Sequence, residues 1–308
     1  IMGYTYPPAA PTLSGDKLTI STFLKTPGLV ARRIRKLADK RFISDVILPA
    51  RLDATGGAVR YETGESIFSD DAPESIAPGS EYPITQVGAG DSQLAKTEKW
   101  GQDSIVTDES IARQNINPVN RAMEKQVNQL VKTVDSVALS AIASAVTQTV
   151  AAPVAWDGSS PTILRDLLKT KAAIYALNEG FDPNVLVVDD LTWAIIASDP
   201  AIAALLARED KSNPVYSGEF VVVAGLLILP TPNLGLPKTA LMVDTKQLGG
   251  MADEKLGGPG YVSTDGVGVE AKTIRDEDNE QYKIRARRVT VPVVLEPKAA
   301  YKITGVLS

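Results

Sequence analysis

An α+β fold is what this 308-residue sequence predicts: an extended N-terminal arm, a long two-stranded loop, one rod-like helix, a compact α/β region and a set of closing strands. Three observations carry that expectation. Between residues 117 and 148 apolar side chains recur every three or four positions, the spacing of an amphipathic helix. Short strand-like runs lie before and after it, punctuated by Gly and Pro. And the run GESIFSDDAPESIAPGSEYPIT, Gly64 to Thr85, stands between two strand-like stretches. It contains Pro73, Pro78 and Pro83 and no basic residue. Connections of that length in compact domains are functional or disordered.

In order along the chain, residues 1–26 are rich in Pro, Ser and Thr and read as an arm outside any core. TPGLVARRIRKLADKRF follows. Thr26 suits a helix cap and Pro27 the first helical position; Leu29, Ile34 and Leu37 are a sparse apolar set among Arg32, Arg33, Arg35, Lys36, Lys40 and Arg41. This is a short basic helix, either solvated or facing an acidic neighbour. GGAVRYET (56–63) alternates like a strand, EYPITQV (81–87) is its candidate partner, and LAKTEKWGQDSIVTDES (94–110) reads as two strands broken at Gly101. A two-stranded hairpin is marginal alone in water, so this one needs something to lie on.

The long helix begins with Asn117 and Pro118, and its apolar stripe runs through Val119, Met123, Val127, Leu130, Val134, Val137, Ala141 and Ala145. Downstream, a helix is expected from Ser160–Pro161 to Gly180, a buried strand at NVLVV (184–188), and one or two helices broken at Pro200, with Asp190 as the cap of the first. EFVVVAGLLILPTPNLG reads as a strand and turn, TALMVDT as a strand, KQLGGMADEKLGGPG as a Gly-rich loop, and VGVEAKTI, QYKIRARRVTVPVVL and AAYKITGV as closing strands. No internal repeat occurs.

Composition excludes much chemistry. There is no Cys and no His, so thiolate sites, disulfides and imidazole triads are ruled out. Net charge is −5, unlike the basic balance of proteins that grip nucleic acid through phosphates. No apolar run is long enough to span a membrane, and no signal peptide is visible. Gly266 to Ala271 fits a degenerate GxGxxA, but a strand follows where a dinucleotide site needs a helix. Asp276, Asp278 and Glu280 imitate a calcium loop, but Gln281 stands where that loop needs Gly, so a solvated acidic turn is expected. Asp70, Asp71 and Glu74 lie on a loop too exposed to hold a carboxylate pair rigidly for glycoside hydrolysis. No catalytic, metal or cofactor site is therefore assigned. Arg285, Arg287 and Arg288 lie along one strand, either as a solvated face or as an ion-pairing interface.

The order of parts resembles the major capsid proteins of tailed bacteriophages, the Hong Kong 97 fold, over nearly the whole chain. The resemblance rests on YETGESIFSDD with EYPITQV as the extended loop, and on KWGQDSIVTDESI leading into NPVNRAMEKQVNQLVKTVDSVALSAIASAV as the spine helix. NVLVVDDLTWAIIASDP stands for the axial domain and YKIRARRVTVPVVLEPKAAYKITG for the closing strands. It implies an arm over 1–48, an extended loop over 49–96, a peripheral domain from 97–152 and 269–292, and an α/β axial domain from 153–268 and 293–308.

It further implies a chain that self-assembles through pentamers and hexamers into the icosahedral head of a virion, built in the host cytoplasm around double-stranded DNA without sequence-specific binding. A separate scaffold, a portal and decoration proteins are the other implied partners. Tyr61, Glu62, Phe68, Asp70, Asp71 and Glu74 on the loop would touch a neighbouring subunit; Arg32, Arg33, Arg35 and Lys36, with Arg285, Arg287 and Arg288, are the charged candidates for pairing. Some members weld subunits through a loop lysine, an asparagine and a glutamate. Residues 50–95 here hold no lysine, and the region of Asn279 does not supply the matching arrangement, so a non-covalent shell is expected. Met2 reads as the start, in which case scaffolding is supplied by a separate protein or is not needed. Rival readings are an encapsulin-type nanocompartment, a cytosolic α/β enzyme using Asp, Glu or Lys, and a surface adhesin.

Overall fold

The structure, a computed structural model, describes residues 24, 29–30, 33–34, 42–64, 67–69, 72–82, 84, 90–114, 117–205, 222–263 and 268–308. Of the basic segment, Arg33 and Ile34 are helical and Ile34 is buried; Arg32, Arg35 and Lys36 lie outside the described residues. The described helices are α1 (Ser44–Ile47), α2 (Asp108–Gln114), α3 (Asn117–Ala145), α4 (Ile163–Tyr175), α5 (Asp190–Ser198) and α6 (Pro200–Leu205). Fourteen strands accompany them: β1 (Ala50–Asp53), β2 (Ala58–Thr63), β3 (Asp91–Lys96), β4 (Glu98–Thr107), β5 (Thr149–Ala151), β6 (Val185–Val188), β7 (Val222–Val223), β8 (Leu226–Pro230), β9 (Thr239–Val243), β10 (Gly249–Asp253), β11 (Val262–Ser263), β12 (Val269–Asp276), β13 (Gln281–Val294) and β14 (Ala300–Thr304).

The spine is α3. Its 29 residues make a rod of about 44 Å at ~1.5 Å per residue. The buried stripe is Val119, Met123, Val127, Leu130, Val134, Ala138 and Ile142, joined by Leu139. The sequence placed the second half of that stripe on Val137, Ala141 and Ala145, which are only half-buried. Steps of four exceed the 3.6-residue period, so the apolar line winds around the rod and its end meets a different neighbour.

That rod lies on a six-stranded sheet in the order β1–β10–β13–β12–β11, with β4 on β13's other edge. β13 is the common member. Residues 281–288 pair with both β12 and β4, whereas 290–294 pair with β10. Thr290 has partners in both β10 and β4, so β10 continues the edge that β12 leaves. Side chains alternate across this sheet. Ser104 donates to the Ala122 carbonyl of α3 at 3.5 Å, and Ile284 and Ala286 are buried, which identifies the face toward the spine. Gln126 of α3 is fully buried and its amide donates to the carbonyls of Ile284, at 3.0 Å, and Gln102.

A second sheet runs β5–β14–β9–β6–β8–β7 and forms the core of the α/β part. Every residue of β6 is buried, as its unbroken apolar run requires. Asp199, not Asp190, caps a helix here. Its carboxylate accepts from the amides of Ala201 (2.7 Å) and Ile202 (3.2 Å) at the start of α6, whereas α5 begins at Asp190 with no side-chain cap. The apolar run 222–230 is a hairpin, β7 to β8, turning at Ala224 and Gly225, both with positive φ. The strands β10 and β11, which the sequence grouped with the axial part, hydrogen-bond to β13 and β12.

Two glycine readings are corrected. Gly101 is inside β4, not at a break; a Cβ there would stand 2.8 Å from both the Ala286 carbonyl oxygen and the Arg287 Cβ. The supposed Gly-rich loop contains β10, where a Cβ on Gly250 would stand 2.4 Å from the Ala50 carbonyl oxygen. These glycines permit close strand approach and do not mark flexibility. Gly250→Ala is accordingly expected to separate β1 from β10 and lower stability by about 1–3 kcal/mol, as overpacking does. A urea titration of the unassembled subunit measures it; an unchanged midpoint contradicts it.

Candidate functional site

The extended loop has a fastened base and an uncovered far part. Its base is the antiparallel pair β2–β3, registered Ala58↔Lys96 to Thr63↔Asp91. The strand partner is thus 91–96 and not the expected 81–87; Glu81, Tyr82 and Ile84 are described without strand structure. Val59, Tyr61 and Ala95 pack on a small core of Ala54, Ala252 and Val293, and the Gly64 amide donates to the Leu295 carbonyl at 3.3 Å. Tyr61 therefore packs in its own subunit, while Glu62 is exposed. Beyond Gly64 the pattern reverses. Ile67 is 62% exposed, Phe68 54%, Tyr82 78% and Ile84 89%. Residues from Glu74 to Ile84 line a hollow of about 590 Å³, with the Glu74 and Glu81 carboxylates exposed. Asp70 and Asp71 lie outside the described residues. Large apolar side chains gathered on one outlying loop mark an interaction site.

The second feature is the sheet face turned away from α3. Direct cross-strand partners share a face, so Glu270, Arg287 and Gly101 form one row and Lys272, Arg285 and Asp103 the next. Arg285 grips Asp103 with two bonds of 2.6 Å. That grip holds the Asp103 carboxyl below the usual carboxylate range. Arg287 bonds Glu270 at 2.7 Å, donates to the Gly257 carbonyl, and lies 3.6 Å from the Tyr261 ring centroid. Lys99, Gly101, Gln102, Asp103, Tyr261, Arg285 and Arg287 line a groove of about 460 Å³.

Arg288 points the other way. Neither a solvated nor an intersubunit face describes it: its side chain is fully buried. It bonds Asp45 at 2.9 Å and Asp253 at 3.0 Å, with its guanidinium 4.8 Å from the Phe42 ring. Arg51 closes the square, at 3.0 Å from each of the same carboxylates. Burial favours the neutral form of Arg288; the two carboxylates outweigh it and raise its pKa. At the residues just before Asp45, the start of α1 is tied to the spine. Asp135 of α3 accepts from the Ser44 hydroxyl (2.6 Å), the Ser44 amide (3.0 Å) and the Ile43 amide (3.2 Å).

The three arginines stand out in the sequence, but Asp45, Asp103, Asp135, Asp253, Tyr261 and Glu270 do not. Asp45 and Arg288 are 243 positions apart; no local pattern links them. Asp276 is engaged by Lys283 (2.7 Å), Gln281 (2.9 Å) and Asn279 (3.1 Å) in a hairpin turn. Among the described residues no group of His, Cys, Asp and Glu is arranged to hold a metal, and no helix is long and apolar enough to cross a membrane.

Two outcomes follow from the buried charges. Arg288→Ala leaves Asp45 and Asp253 with only Arg51 and is expected to cost about 3–5 kcal/mol, with little recovery in Arg288→Lys because an ammonium lacks the fork that bonds both carboxylates; chemical denaturation measures both. Asp135 behaves in the opposite sense to most carboxylates. Burial raises its pKa above the ordinary 3.8 despite its hydrogen bonds to Ser44 and Ile43. The folded state then binds the proton more tightly, so stability relative to Asp135→Asn falls as pH rises from 3.8 through the folded-state value. A relative stability that climbs over that window contradicts this.

Residues 90–303 match the phage capsid protein family. No curated protein matches the sequence. Solved structures extend the likeness at the level of fold. A phage-related protein from Bordetella bronchiseptica superposes with TM-score 0.61 at 13% identity, covering 91% of this chain and 96% of its own. The capsid of cyanophage P-SCSP1u gives 0.60 at 12%, covering 85% and 87%. The SrpI encapsulin complex from Synechococcus elongatus gives 0.56 at 12%, covering 88% and 89%. The spine helix, strands β4 and β10–β13 of the sheet beneath it, and the α/β sheet up to residue 303 fall within the matched span, while β1 precedes it, and the chain belongs to the phage capsid protein family.

Proposed function

We propose that this chain is the major capsid protein of a tailed bacteriophage, and that copies of it close through pentamers and hexamers into an icosahedral head around double-stranded DNA. The single observation that carries the reading, within this family, is the loop beyond Gly64. Its large apolar side chains lie exposed while its base is fastened to the body. Burying one such side chain against a neighbour contributes about 1.5–3 kcal/mol, and a closed shell repeats the contact at every subunit. The net charge of −5 suits a container wall, which must release its genome.

The shell is held non-covalently in this reading, since residues 50–95 lack lysine and Asn279 is engaged with Asp276 in its own turn. A separate scaffold, a portal and decoration proteins complete the particle, which is assembled in the host cytoplasm. The basic segment carrying Arg32, Arg33, Arg35 and Lys36 pairs with acidic groups of a neighbour, Asp70 and Asp71 among them. A second reading is supported by the encapsulin likeness: the same shell enclosing a protein cargo.

Electron microscopy of the purified protein tests the proposal. Closed polyhedral particles are expected, with nucleic acid as their content when isolated from infected cells, and a single subunit band on denaturing gels. Small discrete oligomers overturn the shell; enclosed protein in place of nucleic acid transfers it to the second reading; a ladder of covalent multimers overturns the non-covalent shell.

A further inference from the structure

We propose that the exposed ridge of the spine helix α3, carrying Arg121, Lys125 and Lys132, is a contact surface for the phosphate backbone of the enclosed double-stranded DNA. The inference rests on the shell reading above and names the surface by which the wall meets its contents.

Helix geometry builds the ridge. Steps of four and seven residues return close to the same side of an α-helix, so the three cations stand in one line. That line is about half a turn away from Val119, Met123 and Leu130, which are buried. All three cations are exposed, and none forms an ion pair among the described residues. Glu124 is the one exposed carboxylate between Arg121 and Ser144. Every other exposed side chain over that length is a neutral hydrogen-bonding one, Ser136, Ser140 and Ser144 among them. The ridge therefore has a positive surplus on a chain whose net charge is −5. Arginine, lysine and serine are side chains that meet phosphate oxygens.

The partner follows from chemistry and size. No large apolar side chain is exposed on α3. Lysine and serine are also depleted from protein–protein interfaces, so another protein surface fits the ridge poorly. A phosphate backbone fits it well. Arg121 and Lys132 are separated by about 16 Å of helical rise. Over that length one strand of a duplex passes about five phosphates, so each cation can take a different one. The full ridge to Ser144 runs about 35 Å, which is about one turn of B-DNA. Contacts of this kind position a duplex and carry no sequence information. That suits a wall that holds any part of a genome and lets it leave.

Fluorescence anisotropy of a short DNA duplex, titrated with the unassembled subunit, tests the ridge. Three phosphate contacts give a slope of about −2.7 in log affinity against log salt, or about a fortyfold loss between roughly 50 and 200 mM. Arg121→Gln with Lys125→Gln and Lys132→Gln is expected to flatten the wild-type slope by that amount. Lys99→Gln with Lys169→Gln and Lys246→Gln removes as much charge from exposed positions off the ridge and is expected to keep the wild-type slope. The thermal midpoint stays unchanged in both variants. Failure of wild-type protein to close into particles refutes the shell reading itself, whatever the anisotropy shows. In protein that does form particles, an unchanged slope in the ridge variant, an equal flattening in the other variant, or no binding by wild type at low salt refutes the ridge alone.

Discussion

Strand β13 is the constraint on which the rest depends. Of its fourteen residues, 281–290 pair with β4 on one edge, while 281–288 pair with β12 and 290–294 with β10 on the other. Because its side chains alternate, one strand serves two surfaces. Tyr282, Ile284 and Ala286 seat the spine helix, while Arg285 and Arg287 organise the outer face. Arg288 lies near the point where β12 ends and β10 begins, and its buried bonds to Asp45 and Asp253 fasten the N-terminal approach to the sheet. The extended loop leaves from β1, which pairs with β10, so the loop's root inherits its position from β13 through one intermediate strand.

Rigidity at the root gives the exposed loop meaning. The Val59–Tyr61–Ala95 contacts and the Gly64 hydrogen bond hold the hairpin base, and the Asp135–Ser44 clamp holds the turn ahead of it. A segment that projects from a fixed root samples fewer orientations than a free tether, so less conformational entropy is lost when it lands on a neighbour. In the proposed shell its pairing with copies would depend on many weak, repeated contacts, each modest and salt-sensitive when exposed.

Much of this was legible before any coordinates. The spine helix, the helix at 163–175, the buried strand at 185–188 and the closing strands carry period and punctuation strong enough to read directly. What escaped has a common physical cause. Gly101 and Gly250 look like turn residues because glycine's usual signal is conformational freedom; here its use is the absence of a Cβ against a neighbouring strand, visible only in three dimensions. EYPITQV at 81–87 is the partner the sequence suggests for β2, yet DSQLAK, nearly all exposed, forms the strand; a ribbon on the surface needs no apolar face along both members. The arginines are conspicuous, but their carboxylates come from Asp45, Asp103, Asp253 and Glu270, remote in sequence, so the division into one arginine facing the spine side and two facing the outer side, Arg287 buried among them, has no local signature.

The central claim is that the part of the loop beyond Gly64 acquires protection only from another copy. Amide hydrogen exchange, followed through residues 64–90 in the free subunit and in assembled particles, addresses it most directly. The account predicts fast exchange there in the free subunit and strong protection after assembly, with β2 and β3 at the root changing little. Equal protection in both states, with the loop already covered by its own body, contradicts it.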